Sequence, residues 1–190
     1  MIKTELLSED PFVSKLSGVF FDTNQKWIDL ILEHASYDQN KASIRRDRAY
    51  CKLFQPTFRF KDSNDPMHSV LFPLLGLINR NVRFMLTELG MPSTNEIGVD
   101  KDAWGLVYED GESCGPHGHG RENLYAGVYY LETSEGSGEI YFPEAGLEVE
   151  PKSGDLLLFG SPVIHGVMAN TIPDSTRICV AFNVRDFSKK

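Results

Sequence analysis

Two hydrophobic periods divide this chain near residue 100. Before it, apolar side chains recur three and four residues apart: Trp27, Leu30 and Ile31 in one run, then Val70, Leu74, Leu77, Ile78, Val82, Met85 and Leu89 in another. That spacing gathers each set on one helical face. The first run predicts a helix from Thr23 or Asn24, either of which can cap it, to about His34. The second begins at Asp65-Pro66, an N-cap acid followed by proline at the first helical position, and should stop at Gly90 with Pro92 just beyond. Pro73 falls inside this pattern, where it either kinks the helix or delays its start. Residues 12–21 suggest a short strand interrupted by Gly18, and Leu53 to Phe60 alternates as an edge strand holding Pro56. The basic run over residues 37–49 reads as a solvated loop or exposed helix, with contact to an anionic substrate as the alternative.

After residue 100 the period falls to two. Ala103–Glu109, Leu124–Glu132, Glu139–Phe142, Leu147–Glu150, Leu156–Phe159, Val163–Met168 and Arg177–Val184 read as strands, separated by turns rich in glycine and proline. Many short strands at this spacing indicate a sandwich or barrel. With 190 residues and no linker or internal repeat, the chain reads as one domain, its first hundred residues a largely helical support for a β core over 101–187.

Composition narrows the function classes. A net charge of −8 argues against nucleic-acid binding, which depends on basic side chains neutralising phosphates. No apolar run is long enough to span a membrane, and the first residues carry acids where a signal peptide needs bases. Three cysteines without CxxC spacing fit a reducing compartment, so a cytoplasmic location is expected.

The candidate chemistry lies between Cys114 and Asn183. His117 and His119 sit two apart, and His165 follows downstream. On a strand, the first two would share a face, and a neighbouring strand could bring the third to a common ion. Three imidazoles suit iron, zinc, copper or nickel and leave coordination positions open for substrate. The nearby Gly115, Gly118 and Gly120 allow close approach to an ion or serve as turn residues. Along the last strand, Arg177, Cys179, Ala181 and Asn183 share one face, with Ile178, Val180 and Phe182 on the other. If the apolar set packs under helices, Arg177 faces inward and needs an anion: a bound carboxylate or one of the protein's own acids.

In Pro116-His117-Gly118-His119, Ala126–Leu131, Gly136–Pro143, Pro151–Phe159, His165-Gly166-Val167 and Arg177–Asn183, taken in order, the chain from Trp104 to Asn183 resembles the iron(II)/2-oxoglutarate-dependent oxygenases, in particular a bacterial and phage group related to prolyl hydroxylases. The resemblance implies a double-stranded β-helix, or jelly roll, bearing Fe(II), 2-oxoglutarate as co-substrate, and O₂. It implies that His117 and His165 hold the metal and that Arg177 holds the distal carboxylate of 2-oxoglutarate. Tyr130, Cys179 and Asn183 join Arg177 as cofactor-binding candidates, although Cys179 stands where many members have serine. His119 replaces the usual aspartate or glutamate of the metal triad and is expected to ligate in its place. Trp104, Tyr108 and Tyr125 are candidates for the substrate side, against a plainer reading as aromatic core. The implied reaction is hydroxylation of an unactivated C–H bond in a small molecule or peptide. A cupin-like three-His dioxygenase or hydrolase that does not use 2-oxoglutarate, and a non-catalytic jelly-roll module, remain open. Oligomeric state is not legible here.

Overall fold

The computed structural model describes residues 2–20, 24–36, 49–50, 52–54, 66–99 and 102–188. The elements run β1 (Lys3–Ser8), β2 (Val13–Ser17), α1 (Asn24–His34), β3 (Ala49–Tyr50), β4 (Lys52–Phe54), α2 (Pro66–Glu88), β5 (Ile97–Gly98), β6 (Ala103–Tyr108), β7 (Ser113–His117), β8 (Tyr125–Glu132), β9 (Ile140–Phe142), β10 (Leu147–Val149), β11 (Leu156–Gly160), β12 (His165–Val167) and β13 (Arg177–Asp186). Among the described residues, one sheet has the order β1-β2-β11-β8-β13-β6-β4, with β5 added beside β13. The second has the order β10-β9-β12-β7-β3. All these pairings are antiparallel, and the two curled sheets form a mainly β, jelly-roll core with two helices.

Alternation along β13 separates two apolar cores. Ile178, Val180, Phe182 and Val184 point to one face of the large sheet, where they pack with α1 and α2 through Trp27, Ile31, Leu74, Ile78, Val82 and Met85. Each such buried side chain contributes roughly 1.5–3 kcal/mol. Cys179 and Ala181 point the other way, into a core shared between the sheets with Leu106, Tyr108, Tyr130, Ile140, Phe142 and Phe159. The helices therefore hold the large sheet from outside, while its inner face is left for the site. Close packing at Gly127 is part of that arrangement: a Cβ there would strike the Phe182 ring and approach the Leu157 carbonyl oxygen to 2.6 Å. Gly127→Ala should cost about 3 kcal/mol by chemical denaturation, and a cost below about 0.5 kcal/mol would show that the β8–β11–β13 contact yields easily.

The helices sit where their periodicity puts them. α2 runs through Pro73, which lies on the solvent side. It ends with Gly90 in the left-handed region (φ 68°), the Gly90 N–H donating to the Thr87 carbonyl (3.0 Å) and that of Met91 to Leu86 (2.8 Å). Its buried face includes Leu71, Leu75 and Leu86 beyond the predicted stripe, whereas Leu89 is only half-buried. Thr23, Asp65 and nearly all of the basic run at 37–49 lie outside the described residues, as does the segment 55–60. Among the described residues, the first hundred also contribute strands to both sheets. β1 and β2 form a hairpin, and β2 extends the large sheet by pairing with β11, Leu16 opposite Leu156. The β2–β11 pairing, some 140 positions distant, leaves no local trace in residues 13–16.

Candidate metal centre and its cavity

His117 and His165 face each other across adjacent strands. β12 pairs with β7 in a register that sets the two directly opposite, ring centroids 4.3 Å apart. His119 arrives differently from the expected strand alternation, because β7 stops at His117. A loop carries it back, its N–H bonded to the Ser161 carbonyl at 2.9 Å, while Ser161 Oγ donates to the Gly120 carbonyl at 2.8 Å. Gly118 is needed for contact with protein rather than with an ion: a Cβ there would come within 3.0 Å of the Pro162 carbonyl oxygen. The result is a triangle of imidazoles with one ligating nitrogen from each within 4.8 Å of the others. His119 lies parallel to His165 (centroids 5.2 Å apart, 3°) and stacks against Trp104 at 6.0 Å.

The hydrogen bonds select the tautomers. His117 Nδ1 lies 2.9 Å from the Gly115 carbonyl and His165 Nδ1 3.0 Å from the Val163 carbonyl. A carbonyl only accepts, so each Nδ1 carries the proton and each Nε2 keeps its lone pair for a metal. His165 is buried, and burial pushes its imidazole down to about 3, with neighbouring His117 acting in the same direction. It stays neutral and ready to ligate across the physiological range.

Arg177 faces inward as the alternation of β13 requires, and is 1% exposed. Its Nη1 donates to the carbonyls of Ser137 (2.7 Å) and Gly138 (2.5 Å), and its guanidinium lies 4.4 Å over the Tyr108 ring. Nε and Nη2 are buried without hydrogen-bond partners, as is the Oγ of Ser137. No carboxylate among the described residues pairs with this cation. Tyr130 lies across β13 from Cys179, and burial holds its phenol, and pushes the Cys179 thiol to about 12, so that both stay protonated.

The histidines open into a cavity of about 520 Å³. Its inner wall is apolar and aromatic (Leu106, Tyr108, Ile140, Phe159), whereas Asp102, Glu122, Asn123, Asn183 and Arg185 line a polar part. Arg177 is not on this surface but lies directly behind Tyr108. Of the substrate-side candidates, Trp104 and Tyr108 line the cavity. Tyr125 does not: alternation along β8 turns it to the helix-covered face, against Phe12 at 5.6 Å. Asn183 lines the cavity six residues along β13 from Arg177, roughly 20 Å in extended chain, well beyond the length of a five-carbon dicarboxylate. Ser137, Ser161 and Asp102 carry no motif of their own; only the Gly-Ser-Gly turn around Ser137 could have drawn notice.

No protein-family profile matches the chain. A probable prolyl 4-hydroxylase from Arabidopsis thaliana is 33% identical over 86 residues, 42% of this chain and 32% of that protein, so the chain spans about a third of the relative's length. The fold is similar to that of a Pseudomonas putida prolyl-4-hydroxylase (TM-score 0.58, 16% identity, 91% of each chain). It is also similar to a viral collagen prolyl hydroxylase of Paramecium bursaria Chlorella virus-1 solved as its 2OG complex (TM-score 0.59, 15% identity, 94% of this chain and 98% of that one).

Proposed function

We propose that the cavity is the active site of a non-haem iron oxygenase that uses 2-oxoglutarate to hydroxylate a C–H bond of a small molecule or a peptide side chain. The observation that carries this reading is Arg177, a buried cation with two unpaired donors, in the same barrel interior as three convergent histidines. A buried guanidinium without an anion is costly, and a carboxylate is the ligand that matches its fork. The similarity to prolyl hydroxylases, one of them solved with 2OG, supports the same choice of co-substrate.

The donor set fits a divalent first-row metal: two Nε2 lone pairs fixed by backbone carbonyls, and a third imidazole pinned through Ser161. Bound there, iron with 2-oxoglutarate supplies the oxygen activation that C–H hydroxylation needs. The protein's own residues bind, orient and exclude water. Arg177 Nε and Nη2, with Ser137 Oγ, hold the distal carboxylate, and the protonated Tyr130 phenol is a further donor. The Tyr108 ring, stacked over Arg177 at 4.4 Å, stands between it and the cavity and would have to move to admit the carboxylate. Cys179 contributes a weak donor at most. The apolar inner wall keeps bulk water from the reacting carbon.

Anaerobic addition of Fe(II) and then 2-oxoglutarate should produce a visible metal-to-ligand charge-transfer band. Metal uptake without the band would instead indicate a cupin-like three-His centre, and no uptake a binding module; either overturns the reading.

A further inference from the structure

The polar part of the cavity holds an acceptor with nothing to accept. Asn183 is 5% exposed and lines the cavity. Its Nδ2 donates to Asp102 Oδ2 at 2.8 Å. A carboxylate only accepts, so the amide cannot flip, and Oδ1 is left buried without a partner. Such an atom is expensive to keep unless a ligand satisfies it.

The surroundings say what kind of ligand. Asp102 Oδ2 also accepts from Arg185 Nη2 at 3.0 Å, and Arg185 Nε donates to Asn123 Oδ1 at 2.8 Å. Arg185 is thus spent on Asp102 and Asn123. Glu122, exposed at the same end, has its carboxylate folded against Gly120, where a Cβ would collide with it. With Asp102 balanced by Arg185, Glu122 leaves the described lining of this end one negative charge in excess. Trp104 adds an aromatic wall, and the chain's net charge of −8 favours approach of a cation.

We infer that this end of the cavity is the recognition site for a cationic nitrogen of the substrate, an ammonium or guanidinium group whose N–H meets Asn183 Oδ1 between Trp104 and Glu122. A cationic substrate would then present its carbon stem to the apolar inner wall and the histidines. That the bound cation is a substrate rests on the oxygenase reading; that the site binds cations does not.

The test uses n-propylguanidinium, which stays protonated and cannot ligate a metal, with its neutral isostere n-propylurea as the control. Saturation-transfer NMR is run on the full chain, with and without Fe(II). The guanidinium should show saturation in both states and propylurea much less. Asn183→Leu should weaken guanidinium binding at least tenfold, and Glu122→Gln, at an exposed position, several-fold with the melting temperature unchanged. Equal binding of propylurea, or affinity untouched by both substitutions, would overturn the proposal. Because the metal-free protein is included, a failed charge-transfer experiment leaves this result readable, and the converse also holds.

Discussion

Arg177→Leu should abolish measurable 2-oxoglutarate binding and leave the metal-free protein as stable as before, or more so. The two effects have a common origin. In the unliganded protein the guanidinium is 1% exposed, two of its nitrogens are unpaired and no described carboxylate compensates it. Replacing a buried ionic group by an apolar one of similar volume is often neutral or stabilising by about 1–4 kcal/mol. Against that stand the bonds to the Ser137 and Gly138 carbonyls and the stacking on Tyr108, whose loss returns part of the gain. A net rise of about 1 kcal/mol would appear as some 2–4 °C in Tm for a chain this size. On the ligand side, truncating one partner of a buried charge pair costs about 2–5 kcal/mol, so calorimetric titration of the metal-loaded variant should show affinity reduced by about thirtyfold or more. A structural Arg177 predicts the opposite pair of results: a clear loss of Tm with 2-oxoglutarate affinity intact.

His165→Ala should remove metal binding, by about a hundredfold or more in an anaerobic Fe(II) titration. Loss of a group that merely orients a ligand costs 10–100-fold, and His165 is expected to ligate directly through an Nε2 already aimed by the Val163 carbonyl. Substitutions at His119 report on a different property. All three imidazoles are neutral donors, so the ion's charge is uncompensated by the described triad. His119→Asp should therefore keep the metal and bind it more tightly, since a carboxylate cancels part of that charge. His119→Ala should weaken binding. If it bound Fe(II) like the parent protein, the ion would be held by His117 and His165 alone.

Much of the site is legible in the amino-acid sequence. The inward direction of Arg177 followed from a period of two along residues 177–183, and the outward set packs under the helices as that period demands. The three histidines stood out because so few exist in the chain, and they do converge. Two side chains lie otherwise than expected. His119 reaches the cluster through a loop tied to Ser161, not through strand alternation. Tyr125 has the aromatic character of a pocket residue but the wrong parity on β8. The first is not encoded near His119; the second follows from β8 itself, since Tyr125 stands five positions from the inward-facing Tyr130 and so has the opposite parity.

By itself the amino-acid pattern determined which faces are apolar, where the helices lie and which side chains carry chemistry, because these depend on neighbours two to four positions away. Tertiary structure alone decided the pairings across the chain: His117 opposite His165, β2 beside β11, and Asp102 against Asn183 and Arg185. These depend on strand register and sheet closure, in which residues tens to more than a hundred positions apart share one surface. For the same reason the unpaired atoms, Arg177 Nε and Nη2 and Asn183 Oδ1, became visible only in the fold. A side chain lacks a partner only relative to everything packed around it.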